Sequence, residues 1–133
     1  MFSFFAHEHS DSFRVISSGS TALASLFVVP SLTTFQNYNP SVRIYQYSDD
    51  EKFVTNYYQY YSNLTKNNEQ GFVTYSYGYD FQSLYNVTNM LPQTFQNILD
   101  LISENENECN LFELWFNNKA QSINCNQLCK SVR

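Results

Sequence analysis

An α+β architecture is predicted for this chain, with strands first and helices last. Three observations carry the prediction. Runs rich in β-branched and aromatic residues, cut by Gly, Pro or polar clusters, fill the sequence up to residue 79. Apolar residues at helical spacing fill the last third. The two kinds of pattern do not alternate, as βαβ units would require, and no internal repeat is visible.

Taken in order, residues 1–5 (MFSFF) read as an aromatic strand running straight into a histidine-bearing loop. Residues 13–17 (FRVIS) read as a second strand, broken at Ser18-Gly19-Ser20. Residues 21–29 (TALASLFVV) have the pattern of a buried strand, stopped by Pro30, whose ring would interrupt a central ladder. After a polar loop through Asn39-Pro40, residues 41–47 (SVRIYQY) alternate as a strand does. Ser48-Asp49-Asp50-Glu51 is a charged break, followed by the Tyr-rich extended segment 52–64. Residues 65–70 read as a polar loop and 71–79 as a strand with aromatics on alternate positions. Asp80 is placed to cap a short helix through Tyr85. Leu91, Phe95, Ile98, Leu99 and Ile102 share one face of a helix with Pro92 in its first turn. A polar linker at 103–107 leads to a second helix carrying Leu111, Phe112, Leu114, Trp115 and Phe116, ended by Asn117-Asn118.

Length and composition narrow the class. A chain of 133 residues suffices for one domain with a core of its own and not for two. Hydrophobic residues at 43%, with 11 Tyr and 12 Phe, supply the surface to bury, and three Gly and three Pro argue against low complexity. A net charge of -5, with seven Lys and Arg spread thinly, excludes a basic nucleic-acid interface. No apolar run approaches the ~20 residues of a membrane span. The apolar start is ended by His7-Glu8-His9 before a signal-peptide core of about 7–15 residues can form.

Metal-binding chemistry gathers only at the start. Both histidines, His7 and His9, lie one residue apart, with Asp11 two further on. Alternate residues of an extended segment point the same way, so both imidazoles can address one site. Two histidines fill only half of a four-ligand zinc site, so further ligands must come from elsewhere. The plainer reading is a pair of partly exposed loop histidines. Cys125 and Cys129, four residues apart, read as a short-loop disulfide in an oxidising compartment or as half a metal site in a reducing one, with Cys109 left over. His7, His9, Cys125 and Cys129 together would make a Cys2His2 site, though nothing in the spacing brings the termini together. Asn63-Leu64-Thr65 and Asn86-Val87-Thr88 are legal N-glycosylation sequons, while Asn39-Pro40-Ser41 is excluded by its proline. The clusters Tyr57-Tyr58-x-Tyr60-Tyr61 and Tyr75-x-Tyr77-x-Tyr79 invite a choline-cage reading, against which ordinary packing on a half-wet sheet is favoured.

The sequence from Phe4 to Phe13, Phe4-Phe5-Ala6-His7-Glu8-His9-Ser10-Asp11-Ser12-Phe13, resembles the F-F-G-H-T-H-x-D-x-F form of the last metal-ligand motif of calcineurin-like metallophosphoesterases, as found in acid sphingomyelinase and the sphingomyelinase-like phosphodiesterases. Val29-Pro30-Ser31-Leu32-Thr33-Thr34-Phe35 and Asn39-Pro40-Ser41-Val42-Arg43-Ile44-Tyr45 are similar to that family's A-P-S-x-T-T-Y and N-P-G-x-R-x-Y segments in order and spacing. The sequon at Asn63, the Leu91-Pro92 helix start and Cys125-x3-Cys129 also fit. The resemblance covers essentially the whole chain.

It implies the last strands of a metallophosphoesterase β-sandwich at 1–47, followed by a small, mainly helical sphingomyelinase-type subdomain at 48–133. It implies two zinc ions in the intact family, acting on a phosphodiester such as sphingomyelin, with His7 on one ion and His9 on the other; Asp11 is read, beside the resemblance, as steadying an imidazole. It also implies a glycan on Asn63, beside the Asn86 site read from its sequon alone, a Cys125–Cys129 disulfide, and a secreted or lysosomal location. Two departures stand out: Ala6 replaces the motif glycine, and the family's D-x-H, G-D-x-x-D and G-N-H motifs are absent from this sequence. The chain is therefore expected to be inert by itself, contributing as the C-terminal portion of a longer phosphodiesterase. The alternatives are a non-catalytic remnant with a binding or structural role, and a half-domain completing a metal site in trans.

Overall fold

A computed structural model describes residues 2–34 and 38–119. They form the expected α+β arrangement: two three-stranded sheets and four helices. The strands are β1 (Phe2–Phe5), β2 (Ser12–Ser18), β3 (Thr21–Val28), β4 (Ser41–Ser48), β5 (Phe53–Tyr61) and β6 (Ser76–Asp80). The helices are α1 (Leu64–Gln70), α2 (Phe81–Tyr85), α3 (Pro92–Glu104) and α4 (Glu106–Phe116).

The first sheet has the order β1-β3-β2. The β2–β3 pair is an antiparallel hairpin turned at Gly19, whose φ of 59° suits a residue without a Cβ. β1 joins the far side of β3 in parallel, with Phe5 opposite Val28. The second sheet is an antiparallel meander, β4-β5-β6, and β4 pairs with β5 across the 47/48 point.

Aromatic side chains join the sheets and helices in one core. Phe27 of β3 lies 5.8 Å from Tyr45 and 6.0 Å from Tyr57 of the second sheet, and 5.3 Å from Phe95 of α3. Phe13 meets Phe81, Tyr85, Phe95 and Phe112 edge-on, the arrangement favoured by the ring quadrupole. The helix face read from spacing is the buried one at Phe95, Ile98 and Ile102. Leu91 instead stands at the cap of α3 and is exposed. Asp80 caps α2 through the Ser83 N–H. Burial lifts the Asp80 carboxyl, but bonds from Ser83, Asn56 and Tyr77 outweigh it and bring the pKa down to about 2.

Three local expectations are corrected. Residues 65–70 belong to α1, not to a loop: Asn63 accepts from Lys66 N–H at the start and Gly71, at φ 77°, closes the end. Its buried residue is Asn67, bonded to the Ser62 hydroxyl at 2.6 Å and the Thr74 hydroxyl at 2.9 Å, so the helix docks through an amide and shows no apolar stripe. The strand expected from residue 71 begins only at Ser76. There Tyr60 pairs with Tyr77 and Gln59 with Tyr79, so Gly78 is the extra residue of a bulge that inverts the side-chain phase. Tyr77 faces solvent as a result, and Tyr79 is buried. The 103–107 linker shrinks to Asn105, whose side chain caps α4 by accepting from Asn107 and Glu108 N–H.

Candidate functional site

Six residues, 6–11, join β1 to β2 and carry both histidines. Because β3 lies between those two strands, the loop must cross two strand spacings, about 10 Å, over the C-terminal end of β3. At its start the Val29 N–H donates to the Phe5 carbonyl at 2.8 Å. His7 (φ 96°) and His9 (φ 60°) both take positive φ, a region few non-glycine residues occupy. Ala6 is exposed and is not among the positive-φ residues, so the Cβ it carries in place of the motif glycine meets no backbone strain. His7 is exposed; His9 is half-buried and its Nδ1 lies 2.7 Å from the Thr33 hydroxyl, which fixes the ring's orientation. Thr33 is itself held by Ser31, whose hydroxyl accepts from the Thr33 N–H at 3.0 Å.

After His9 the chain turns inward. Ser10, Asp11 and Ser12 are all buried. The Asp11 N–H donates to the Phe116 carbonyl at 3.1 Å, tying the loop to the end of α4. One Asp11 oxygen pairs with the Arg43 guanidinium and the other accepts the Tyr79 hydroxyl at 2.6 Å. In this chain, then, the Asp11 carboxylate bonds to Arg43 and Tyr79. Because Tyr79 donates to a carboxylate, the Tyr57 hydroxyl 3.2 Å away donates to Tyr79 in turn. The Arg43 side chain is 0% exposed; its Nε donates to Gln59 at 2.9 Å and its Cζ sits 3.9 Å over the Tyr57 ring. Burial alone would lower the Arg43 pKa, but Asp11 and the surrounding phenols hold it well above its ordinary value. Burial, with Asp11 next, pushes Tyr79 well above the usual phenol.

The other singled-out residues lie apart from this loop. Asn63 and Asn86 are exposed, as are Thr65 and Thr88 of their sequons. The tyrosine clusters are divided by the bulge: Tyr57 and Tyr79 are core residues whose cationic neighbour is the chain's own Arg43, while Tyr75 and Tyr77 face solvent. Cys109 is buried and disulfide-bonded, which supplies a bond to the cysteine the sequence left over. Cys125 and Cys129 lie outside the described residues, and with them the short-loop disulfide and the Cys2His2 alternative.

Two imidazoles meet half of zinc's usual demand, and no group of three or more His, Cys, Asp or Glu side chains able to hold a metal comes together among the described residues. Arg43, Tyr79 and Thr33 carry the geometry without having been read from sequence as residues of this site. The available signal was Arg43, the lone charge in an otherwise strand-like SVRIYQY run.

Residues 19–133 match the family model described as the acid sphingomyelin phosphodiesterase C-terminal region. The chain is 32% identical over 133 residues to sphingomyelin phosphodiesterase A of Dictyostelium discoideum, covering 96% of this chain and 22% of that protein. It is 34% identical over 122 residues to sphingomyelin phosphodiesterase of Bos taurus, covering 85% of this chain and 19% of that protein. It is 27% identical over 139 residues to the cyclic GMP-AMP phosphodiesterase SMPDL3A of Mus musculus, covering 98% and 31% respectively. The chain thus spans 19% to 31% of the length of these relatives. With the family match extending over most of its residues, this chain belongs to the acid sphingomyelin phosphodiesterase C-terminal region family.

Proposed function

We propose that this chain acts as the C-terminal portion of a sphingomyelin phosphodiesterase-like metallophosphoesterase and contributes His7 and His9 as zinc ligands. One observation carries the reading: both residues of the H-x-H pair hold positive φ on a loop slung over the end of β3, with one ring oriented by Thr33. Strain of this kind persists where the surroundings over-determine it, and it collects at functional sites.

Zinc, when bound, supplies polarisation of the phosphoryl oxygens and a water acidic enough to attack near neutral pH. This chain's part is to present two imidazoles in a fixed direction; the remaining ligands, a bridging carboxylate and an acid histidine belong to other polypeptide, so the chain is inert alone. The 1–47 segment is proposed to continue a metallophosphoesterase β-sandwich. The division at 47/48 is then one of ancestry, since β4 and β5 pair across it. A phosphodiester is the substrate class common to the relatives' names. Exposed sequons and a disulfide-bonded Cys109 support an oxidising, glycosylating compartment, secreted or lysosomal. Among the described residues no helix is long and apolar enough to cross a membrane.

The test is to recover the native polypeptide with an antibody to residues 91–133 and measure its mass, its mass after N-glycan removal, and its zinc content. A glycosylated species well above 15.6 kDa that carries zinc, and loses it on His7→Ala or His9→Ala, is expected. A lone unglycosylated species of 15.6 kDa without zinc would leave the reading as ancestry only.

A further inference from the structure

The histidine loop is held on both sides, but unequally. On the upstream side it hangs from the Val29–Phe5 backbone bond at the edge of β1. On the downstream side it ends in Asp11, 4% exposed, which is bonded through its backbone to Phe116 and through its two oxygens to Arg43 and Tyr79. These three partners come from α4, β4 and β6, so the downstream anchor of the loop lies in the second sheet and the helices.

We propose that Arg43 and Tyr79 are positioning residues for the His7–His9 loop: by holding the two oxygens of Asp11 they fix the direction in which both imidazoles leave the sheet. A buried carboxylate needs its charge met and its lone pairs satisfied, and here one group does each. With both in place, Asp11 has one position, and the two residues before it inherit that constraint at His9. Without either, the cost of positive φ at His7 and His9 favours relaxation to the ordinary negative-φ basins. The functional consequence rests on the zinc-ligand reading; the geometry does not.

The experiment uses the isotopically labelled full chain with its disulfide intact. One-bond Cα–Hα couplings, which separate positive from negative φ, are read at His7 and His9, and amide exchange is read across residues 7–10 and across β5. Tyr79→Phe keeps the ring against Trp115, 4.6 Å away, and removes only the hydroxyl. It is expected to speed exchange at 7–10 by about ten-fold or more, to average the two couplings towards negative φ, and to leave β5 protection within about two-fold. Arg43→Lys, which keeps the charge, is expected to retain more of the wild-type couplings than Arg43→Gln. If Arg43→Gln does not fold, the other two variants decide. A loop unchanged in both, or a Tyr79→Phe chain whose loop and sheet loosen together, overturns the proposal. The zinc reading fails separately: a recovered polypeptide without zinc removes the ligand assignment and leaves the loop result standing.

Discussion

Replacing Arg43 by Met is the sharpest thermodynamic test of the buried pair. Met keeps the apolar stem and removes the guanidinium, so Asp11 stays 4% exposed with its charge met only by the Tyr79 hydroxyl. Breaking a buried pair from one side costs about 3–5 kcal/mol, most of it the penalty of the stranded charge. The guanidinium face on Tyr57 at 3.9 Å is also lost, although the Met sulfur recovers part of that ring contact. A working figure of about 4 kcal/mol is a large share of the ~5–15 kcal/mol that a domain has in total. With a urea slope of about 1.5 kcal/mol/M, the unfolding midpoint falls by about 2–3 M at unchanged slope. The double variant Asp11→Asn/Arg43→Met removes the stranded charge and is expected to recover at least about 2 kcal/mol against the sum of the singles. A single-variant cost under about 1 kcal/mol, or strict additivity in the double, refutes the assignment of Arg43 and Asp11 as a mutually dependent buried pair.

Gly78→Ala is expected to lower stability by about 1–3 kcal/mol, because a Cβ there would lie 2.8 Å from two Trp115 ring carbons and 3.0 Å from the Gln59 carbonyl, none of which can swing aside; a thermal melt equal to wild type would show that the bulge has room to move. Burial raises the Tyr57, Tyr79 and Tyr85 phenols above 10.0, so the unfolded chain sheds protons that the folded chain keeps. Stability is therefore full below pH 10 and falls as the pH rises beyond it, and tyrosinate absorbance should show a late step coincident with unfolding; early, independent titration of all 11 tyrosines would contradict this. Trypsin without reductant should leave Cys109, in peptide 67–119, joined to a second peptide, whereas a Cys125–Cys129 loop would stay within peptide 120–130. Thr65→Ala and Asn63→Gln should both abolish a glycan at Asn63, but only the second removes the α1 cap and costs about 1 kcal/mol in denaturant titration; equal stabilities would deny the cap its role.

Sequence patterning located what short-range periodicity governs. The strands came from alternation and breakers, and α3 from the spacing of Phe95, Ile98 and Ile102. α1 escaped because its anchoring residue is Asn67, a polar side chain with no signature in an apolar count. The inward turn of Tyr79 escaped because a one-residue bulge at Gly78 inverts the phase that alternation assumes. The loop that carries His7 and His9 was legible, because the aromatic run before it and the β-branched run after it bracket it on both sides. Its support was not: Asp11, Arg43, Tyr79 and Phe116 stand far apart along the chain, and only the tertiary fold makes them neighbours. The packing favoured for the tyrosine clusters is seen at Tyr57 and Tyr79, which are buried, with Arg43 over the Tyr57 ring.

The insertion of β3 between β1 and β2 has a kinetic consequence. β2 and β3 are consecutive and close through a short turn, so their pairing is local and fast, while β1 can add only after that hairpin presents its far edge. The histidine loop is then expected to close only once β1 has docked. Among the described residues β1 pairs with β3 alone, so its detachment leaves the β2–β3 ladder intact. In pulse-labelled exchange the β1 amides should gain protection after those of β2 and β3 and lose it first on dilution into denaturant. The two halves of the loop would then rest on different contacts: His7 on the edge strand β1, and His9 on the Asp11 clamp to β4, β6 and α4.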